Sequence, residues 1–278
     1  MCSTDRLSMM TVMTTSTEPF QIPIEAAEAY EDAFVPAFFA QWAPLLCESV
    51  LLKAGQEVLD VACGTGIVAR NAARIVGPEN VIGLDLNEAM LTVAGRVNPD
   101  IDWRRGNVAA LPFPDSSFDT VLCQMALMFF PDRPAALREM ARVTRPGGSV
   151  GVLVPSSLDA QTTYKPFVEM AARHAGPEAR SLLTTYFVCG DALELMALFE
   201  HAGLTSTAVT SHVGLYTSPS IDAAVATEVE STPLGERITE AVYERLRIEA
   251  NEMFAPHVTD EGRLEFPFES LVAVGHRE

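Results

Sequence analysis

Basic residues are scarce in this chain of 278: 19 Lys and Arg stand against 37 Asp and Glu, for a net charge of −18. A surface that acidic repels phosphate backbones and anionic lipid heads, so neither nucleic acid nor membrane is an expected partner. Long apolar runs are missing too. None approaches the roughly 20 residues of a spanning helix, and the N-terminus lacks the charged start and apolar run of a signal peptide. Cysteines are few: Cys2, Cys47, Cys63, Cys123 and Cys189 are odd in number, scattered, and form no CxxC. That usage excludes a disulfide framework and a zinc site and fits free thiols in a reducing compartment, so a cytoplasmic location is expected. The five histidines show no HxxxH spacing, and no bound metal is expected. What the chain does have is apolar content. It is 48% hydrophobic and 20% charged, which allows a sizeable core and excludes wholesale disorder.

Residues 1–19, rich in Ser, Thr and Met without period, read as a disordered tail. Residues 20–50 read as N-terminal cap helices, with new helices expected to begin at Pro36 and Pro44. Tyr30, Phe34 and Phe38 recur at i, i+4 and i+8. That stripe suits an amphipathic helix packed on the core, or a lid whose rings close over a ligand. Residues 51–155 alternate strands (58–62, 81–84, 120–123, 149–154) with helices (67–76; 88–97 capped by Asn87; 134–143 led by Asp132). Such alternation means right-handed βαβ units and a doubly wound, mostly parallel sheet of the α/β class. Residues 156–190 read as a cap insert, and 191–216 return to the core with a helix, Gly203 past its end, and a strand. Residues 217–262 read as a helical cap insert in which Ile238, Val242, Leu246, Ala250 and Met253 keep helical spacing, and 263–278 hold a final strand.

The chemistry concentrates at VLDVACGTG, residues 58–66. A strand runs into a glycine-bearing turn and a helix starts at once. Gly64 and Gly66 let backbone approach a ligand closely, beside Ala62 and Thr65, and the helix start offers unpaired N–H groups. Asp85, nineteen residues after Gly66 at the end of the next strand, can accept hydrogen bonds from both hydroxyls of a ribose. The glycines alone also satisfy a dinucleotide fingerprint. Asp60 breaks the tie, because a carboxylate there repels a pyrophosphate and attracts a cationic ligand. S-adenosylmethionine, a nucleoside with a sulfonium and an ammonium, suits that acid and the ribose anchor together.

With these motifs the chain resembles the class I S-adenosylmethionine-dependent methyltransferases, most of all the small-molecule branch related to the ubiquinone and menaquinone C-methyltransferases. The motifs cover roughly residues 30–155. GLDLNEAML, residues 83–91, matches the family's second motif, with Asp85 and Leu86 beside the ribose and Met90 on the adenine side. Gly106-Asn107-Val108 stands where the family commonly has Gly-Asp-Ala. The Asn107 amide oxygen can still accept from an adenine amino group. Gln124 and Met125 end the fourth strand, where the family lines the methionine half of the cofactor, and Tyr30 is expected to cover it. The resemblance implies a seven-stranded, Rossmann-like methyltransferase fold with helical cap inserts and S-adenosyl-L-methionine as cofactor. It also implies methyl transfer to a small, largely apolar or aromatic acceptor.

One departure matters. Many relatives carry histidines shortly after the fourth strand, where this chain reads Gln124-Met125-Ala126-Leu127-Met128-Phe129-Phe130. The acceptor side is therefore expected to be apolar, with Met128 and Phe129 as a floor and Phe34, Phe38 and Tyr164 contributed by the caps. His174 and Tyr186, in the first insert, are the base candidates. A nicotinamide-dependent oxidoreductase is the alternative, against which Asp60 and the lack of a Tyr-x-x-x-Lys dyad stand. A catalytically silent cofactor-binding module is the other.

Overall fold

The structure, a computed structural model, describes residues 21–230 and 234–278. The tail expected over residues 1–19 lies outside them.

Seven strands form one sheet in the order β3-β2-β1-β4-β5-β7-β6. They are β1 Val58–Val61, β2 Val81–Asp85, β3 Asp102–Arg105, β4 Phe118–Gln124, β5 Thr144–Pro155, β6 Leu204–Ser218 and β7 Leu264–Arg277. The first five pair in parallel, and β7 runs antiparallel between β5 and β6. All four residues of β1 are buried, as befits a central strand covered on both faces. Of the helices, α1 is Ile24–Ala29, α2 Trp42–Ser49, α3 Ile67–Val76, α4 Glu88–Val97 and α5 Arg133–Val143. Asn87 caps α4 by accepting from the Ala89 and Met90 N–H groups, and Asp132 caps α5 through Ala135. Val68, Ala69, Ala72, Ala73 and Val76 form the buried face of α3.

Two expectations change. The chain runs through Pro36 without a new helix, because Tyr30–Phe39 is a π-helix; the Ala40 N–H reaches back to the Val35 carbonyl at 2.8 Å. The wider turn relieves the clash a proline makes in an α-helix. Pro44 falls inside the first turn of α2, two residues after its start. The strand β3 is the second difference. Asp102, Arg104 and Arg105 are exposed, so this edge strand has no apolar run; its one anchor is Trp103. The indole packs over Gly83, its register partner, and over Gly66: a Cβ there would sit 2.3 Å and 2.1 Å from ring atoms. Both positions therefore require glycine.

The remaining helices are α6 Tyr164–Ala175, α7 Pro177–Thr184, α8 Ala192–His201, α9 Ile221–Glu230, α10 Leu234–Arg237 and α11 Glu240–Phe254, and all but α8 build a cap. Of these, α8 belongs to the core layer, capped by Asp191, whereas α9 to α11 interrupt the long β6–β7 hairpin where Ser218 pairs with Leu264. Ile238 lies outside α11, contrary to the spacing argument. Phe254 of α11 stacks on Phe266 of the hairpin at 5.5 Å and so fastens cap to hairpin, while Tyr216 stacks on the same ring from β6 at 4.7 Å. No single described helix is long and apolar enough to cross a membrane.

Candidate functional site

Strand order reverses between β1 and β4, which opens a crevice at their carboxyl ends. Both flanking strands leave the sheet through a non-glycine residue with left-handed backbone, Ala62 (φ 53°) and Met125 (φ 52°). Gly64 and Gly66 follow with φ 56° and 88°, so the turn before α3 depends on them. Asp85 closes this turn against β2. Its Oδ2 accepts from the Gly64 N–H at 2.8 Å, and its Oδ1 accepts from the Asn87 N–H at 2.8 Å. Burial raises the Asp85 carboxyl above its ordinary range, against the pull of the Asn87, Gly64 and Leu86 N–H groups.

Asp60 is 1% exposed and accepts from the Ala69 N–H at 2.9 Å. It thereby caps α3, whose own N-cap, Gly66, has no side chain to offer. Burial pushes its carboxyl up to about 8, with Asp85 adding to the rise, while the Ala69 N–H and the Arg70 guanidinium pull it down. A cationic ligand beside it would restore the charged form.

Polar atoms at the crevice remain open for a ligand. Thr65 Oγ1 and Gln124 Oε1 are buried and have no hydrogen-bond partner among the described residues, and such atoms ask for one. The Gln124 Nε2 is already committed, donating to the Phe39 carbonyl at 3.1 Å. The exposed Asn107 uses one lone pair of Oδ1 on the Ala109 N–H at 2.9 Å and keeps the other. Gly106 N–H donates to the Asp85 carbonyl at 2.9 Å, which sets Gly106-Asn107-Val108 beside the end of β2. Leu86 and Met90 flank the same end, both half-buried. Two acids, two orphaned polar atoms and a glycine turn fit S-adenosylmethionine, with its ribose, its ammonium and its sulfonium.

The π-helix spans from this crevice to a second space. Tyr30 covers the turn, 3.7 Å from where a Cβ on Gly64 would stand. Burial, with Asp85, Glu31 and Asp60 nearby, raises its phenol above the ordinary range. Glu31 pairs with Arg70 of α3 at 2.8 Å, holding the segment down. Its other end lines an apolar cavity of about 200 Å³ with Phe34, Phe38 and Phe39. Met125 and Met128 come from the end of β4, Tyr164 and Tyr186 from the first insert, and Phe268 from β7.

The structure thus brings Phe34, Phe38, Met125, Met128, Phe129, Tyr164 and Tyr186 around one cavity. It corrects two expectations. Phe129 is no floor: at 51% exposure it stands at the mouth, edge-on to Tyr186 with centroids 5.8 Å apart, whereas Met128 is 4% exposed. His174 is not part of the lining; it bonds to Glu249 of α11 at 2.6 Å and holds two cap helices together. Glu228 escaped the sequence reading. It lines the cavity and accepts from Tyr164 Oη at 2.5 Å. The signal was present: Ile221, Ala224 and Glu228 share a helical face whose first two members are apolar and buried, and an acid on such a face is the informative residue.

Comparison with known proteins follows this geometry. The family described as a methyltransferase domain matches residues 59–152. A demethylmenaquinone methyltransferase from Staphylococcus carnosus is 32% identical over 188 residues, 62% of this chain and 78% of that one. A ubiquinone/menaquinone biosynthesis C-methyltransferase from Cupriavidus taiwanensis is 34% identical over 189 residues, covering 59% and 76%. A 2-phytyl-1,4-naphtoquinone methyltransferase from Synechococcus elongatus is 36% identical over 134 residues, covering 46% and 55%, so the chain spans about half the length of that relative. Among solved structures, the YcgJ protein from Bacillus subtilis superposes with TM-score 0.58 at 20% identity over 86% of this chain and 99% of that one. A Haemonchus contortus phosphoethanolamine N-methyltransferase 2 in complex with S-adenosyl-L-methionine gives 0.57 at 18%, covering 92% and 57%. At these identities the structural likeness is one of fold.

Proposed function

The chain belongs to the S-adenosylmethionine-dependent methyltransferase family of the demethylmenaquinone and ubiquinone/menaquinone C-methyltransferases, and on that premise we propose that it methylates a small, largely apolar or aromatic molecule. The observation that carries this reading is the adjacency of two sites. One π-helix covers the acidic glycine turn with Tyr30 and lines the apolar cavity with Phe34 and Phe38, and Met125 borders both. A donor site and an acceptor site that share a wall are what group transfer needs.

In this reading Asp85 would hold the ribose, Thr65, Gly64 and Gly66 the methionine end with Asp60, and Asn107 and Val108 the adenine, between Leu86 and Met90. Gln124 Oε1 would take an N–H from the same ligand. When bound, S-adenosylmethionine supplies a methyl group on a sulfonium sulfur. The chain's own contribution is alignment and exclusion of water: the aromatic wall keeps the space dry, and the Glu31–Arg70 pair holds the cover shut. Among the described residues no group of His, Cys, Asp or Glu could hold a metal, and the reading assigns none. The four described cysteines are free and buried, which supports a reducing, cytoplasmic setting.

The test is equilibrium titration of the full chain with S-adenosylmethionine, S-adenosylhomocysteine and NAD in parallel. Binding of the first two and not the third is expected. Tight NAD binding without the others refutes the reading.

A further inference from the structure

The two oxygens of the Glu31 carboxyl have different fates. Oε1 accepts from Arg70 at 2.8 Å, whereas Oε2 is buried and has no hydrogen-bond partner among the described residues. An anionic oxygen shut away from water without a donor is costly, more so than a neutral one. Glu31 stands on the π-helix beside Tyr30, whose ring covers Gly64, so this orphan lies at the cover of the glycine turn and ahead of its motif in the chain.

Arg70 ties the carboxyl to that turn. Its Nη2 serves Glu31, and its Nη1 donates to the Thr65 carbonyl at 2.7 Å. Thr65 is 1% exposed, and its Oγ1 is the second orphan. One guanidinium fork therefore holds two residues that each keep a buried, unpaired oxygen. The charge around them is one-sided. Burial raises the Tyr30 phenol, and Asp85, Glu31 and Asp60 all add to the rise, so three acids gather about one hydroxyl. Their counter-charge, Arg70, is already committed to Glu31 and to the Thr65 carbonyl.

The chemistry of the orphans narrows what they meet. A sulfonium has no hydrogen to give, so it cannot satisfy Glu31 Oε2, whereas an ammonium has three donors. Thr65 Oγ1 can donate as well as accept, which suits a carboxylate. An ammonium and a carboxylate on one carbon are the head of an amino acid. We propose that Glu31 reads the α-ammonium at the methionine end of the donor, with Thr65 Oγ1 on the carboxylate of the same carbon, and so makes the amino-acid head a condition of binding. This inference rests on the methyltransferase reading, in which S-adenosylmethionine occupies the crevice. It gives Glu31 a task beyond holding the cover shut: Asp60 faces the ligand from the floor of the turn, and Glu31 from above.

The test is calorimetric titration of the full chain with S-adenosylhomocysteine and with its deamino analogue, which lacks only the α-amino group. The wild type is expected to prefer S-adenosylhomocysteine roughly 10- to 100-fold, the range of a charge-assisted hydrogen bond. Glu31→Gln should bind S-adenosylhomocysteine about tenfold more weakly and the deamino analogue almost as before, so that most of the preference disappears. Arg70→Gln breaks the same ion pair from its other side and should keep the preference, because Glu31 still faces the amino group. Thermal melts report whether each variant has folded. Equal wild-type affinity for the two ligands, a preference that survives in Glu31→Gln, or a Glu31→Gln chain that weakens both ligands alike overturns the proposal and leaves the methyltransferase reading standing. Failure of the wild type to bind S-adenosylhomocysteine at all overturns both.

Discussion

Ala62 and Met125 end neighbouring parallel strands with the same left-handed backbone, φ 53° and 52°. An L-residue there costs roughly 1–2 kcal/mol, and the pair brackets the crevice where strand order reverses. Strain held on both sides of one opening marks a place where backbone is shaped for a ligand.

Ala62→Gly should therefore escape the usual glycine penalty. Relief of the left-handed strain offsets the roughly 0.5–1 kcal/mol of extra chain entropy lost on folding. Thermal melts are expected to show Tm unchanged or slightly raised. A loss of about 1 kcal/mol, the figure for an unstrained helical site, would show that Ala62 carries no strain.

Removing the Asp85 carboxylate should cost about 2–3 kcal/mol of cofactor binding, or roughly 30- to 100-fold in Kd, as charge-assisted bonds are lost. Asp85→Asn keeps one acceptor and should fall between wild type and Asp85→Ala. Calorimetric titration checks this; equal Kd in all three chains would remove the ribose-anchor role.

Asp60 makes cofactor affinity depend on pH. With its carboxyl raised to about 8 in the free protein, it is mostly neutral at pH 7 and must lose its proton to attract a cation. Affinity should rise with pH through about 8 and then level, with proton release measurable in buffers of different ionisation enthalpy. Stability moves the other way. The folded state holds this proton more tightly than the unfolded chain, whose ordinary value is 3.8, so between those two values stability falls as pH rises. Asp60→Asn should flatten both trends while its amide oxygen still caps Ala69.

Much of this was legible in the residues. The helix starts at Ile67, Glu88 and Arg133 follow from a glycine turn and from Asn87 and Asp132 as caps, local signals that tertiary context did not override. The glycine turn and Asp85 meet because β1 and β2 pair in register, Asp60 beside Gly83. What stayed hidden depends on contacts distant in sequence. β3 is held by one tryptophan over two glycines, and no period reveals that. The cavity joins residues from 33 to 268, so although Glu228 stands out in the sequence as an acid on an apolar helical face, its place in the cavity shows only once the distant segments are packed together.

Phe129 lines the cavity. Half-exposed at the cavity mouth, it contributes little to the core, so Phe129→Ala should leave Tm and cofactor Kd nearly unchanged. Loss of one ring contact, about 0.5–1.5 kcal/mol, should raise acceptor KM roughly 2- to 10-fold. Cofactor affinity lost with acceptor KM unchanged would place Phe129 beneath the cofactor instead.

The central claim is methyl transfer, and one measurement addresses it most directly. The full chain is incubated with methyl-labelled S-adenosylmethionine and a panel of small apolar and aromatic molecules, with a chelator present throughout, and label is followed into solvent-extractable product. The account predicts labelled product equal in amount to the S-adenosylhomocysteine formed, undiminished by the chelator. Label that never leaves S-adenosylmethionine across the panel, or transfer that returns only when a divalent metal is restored, would contradict it.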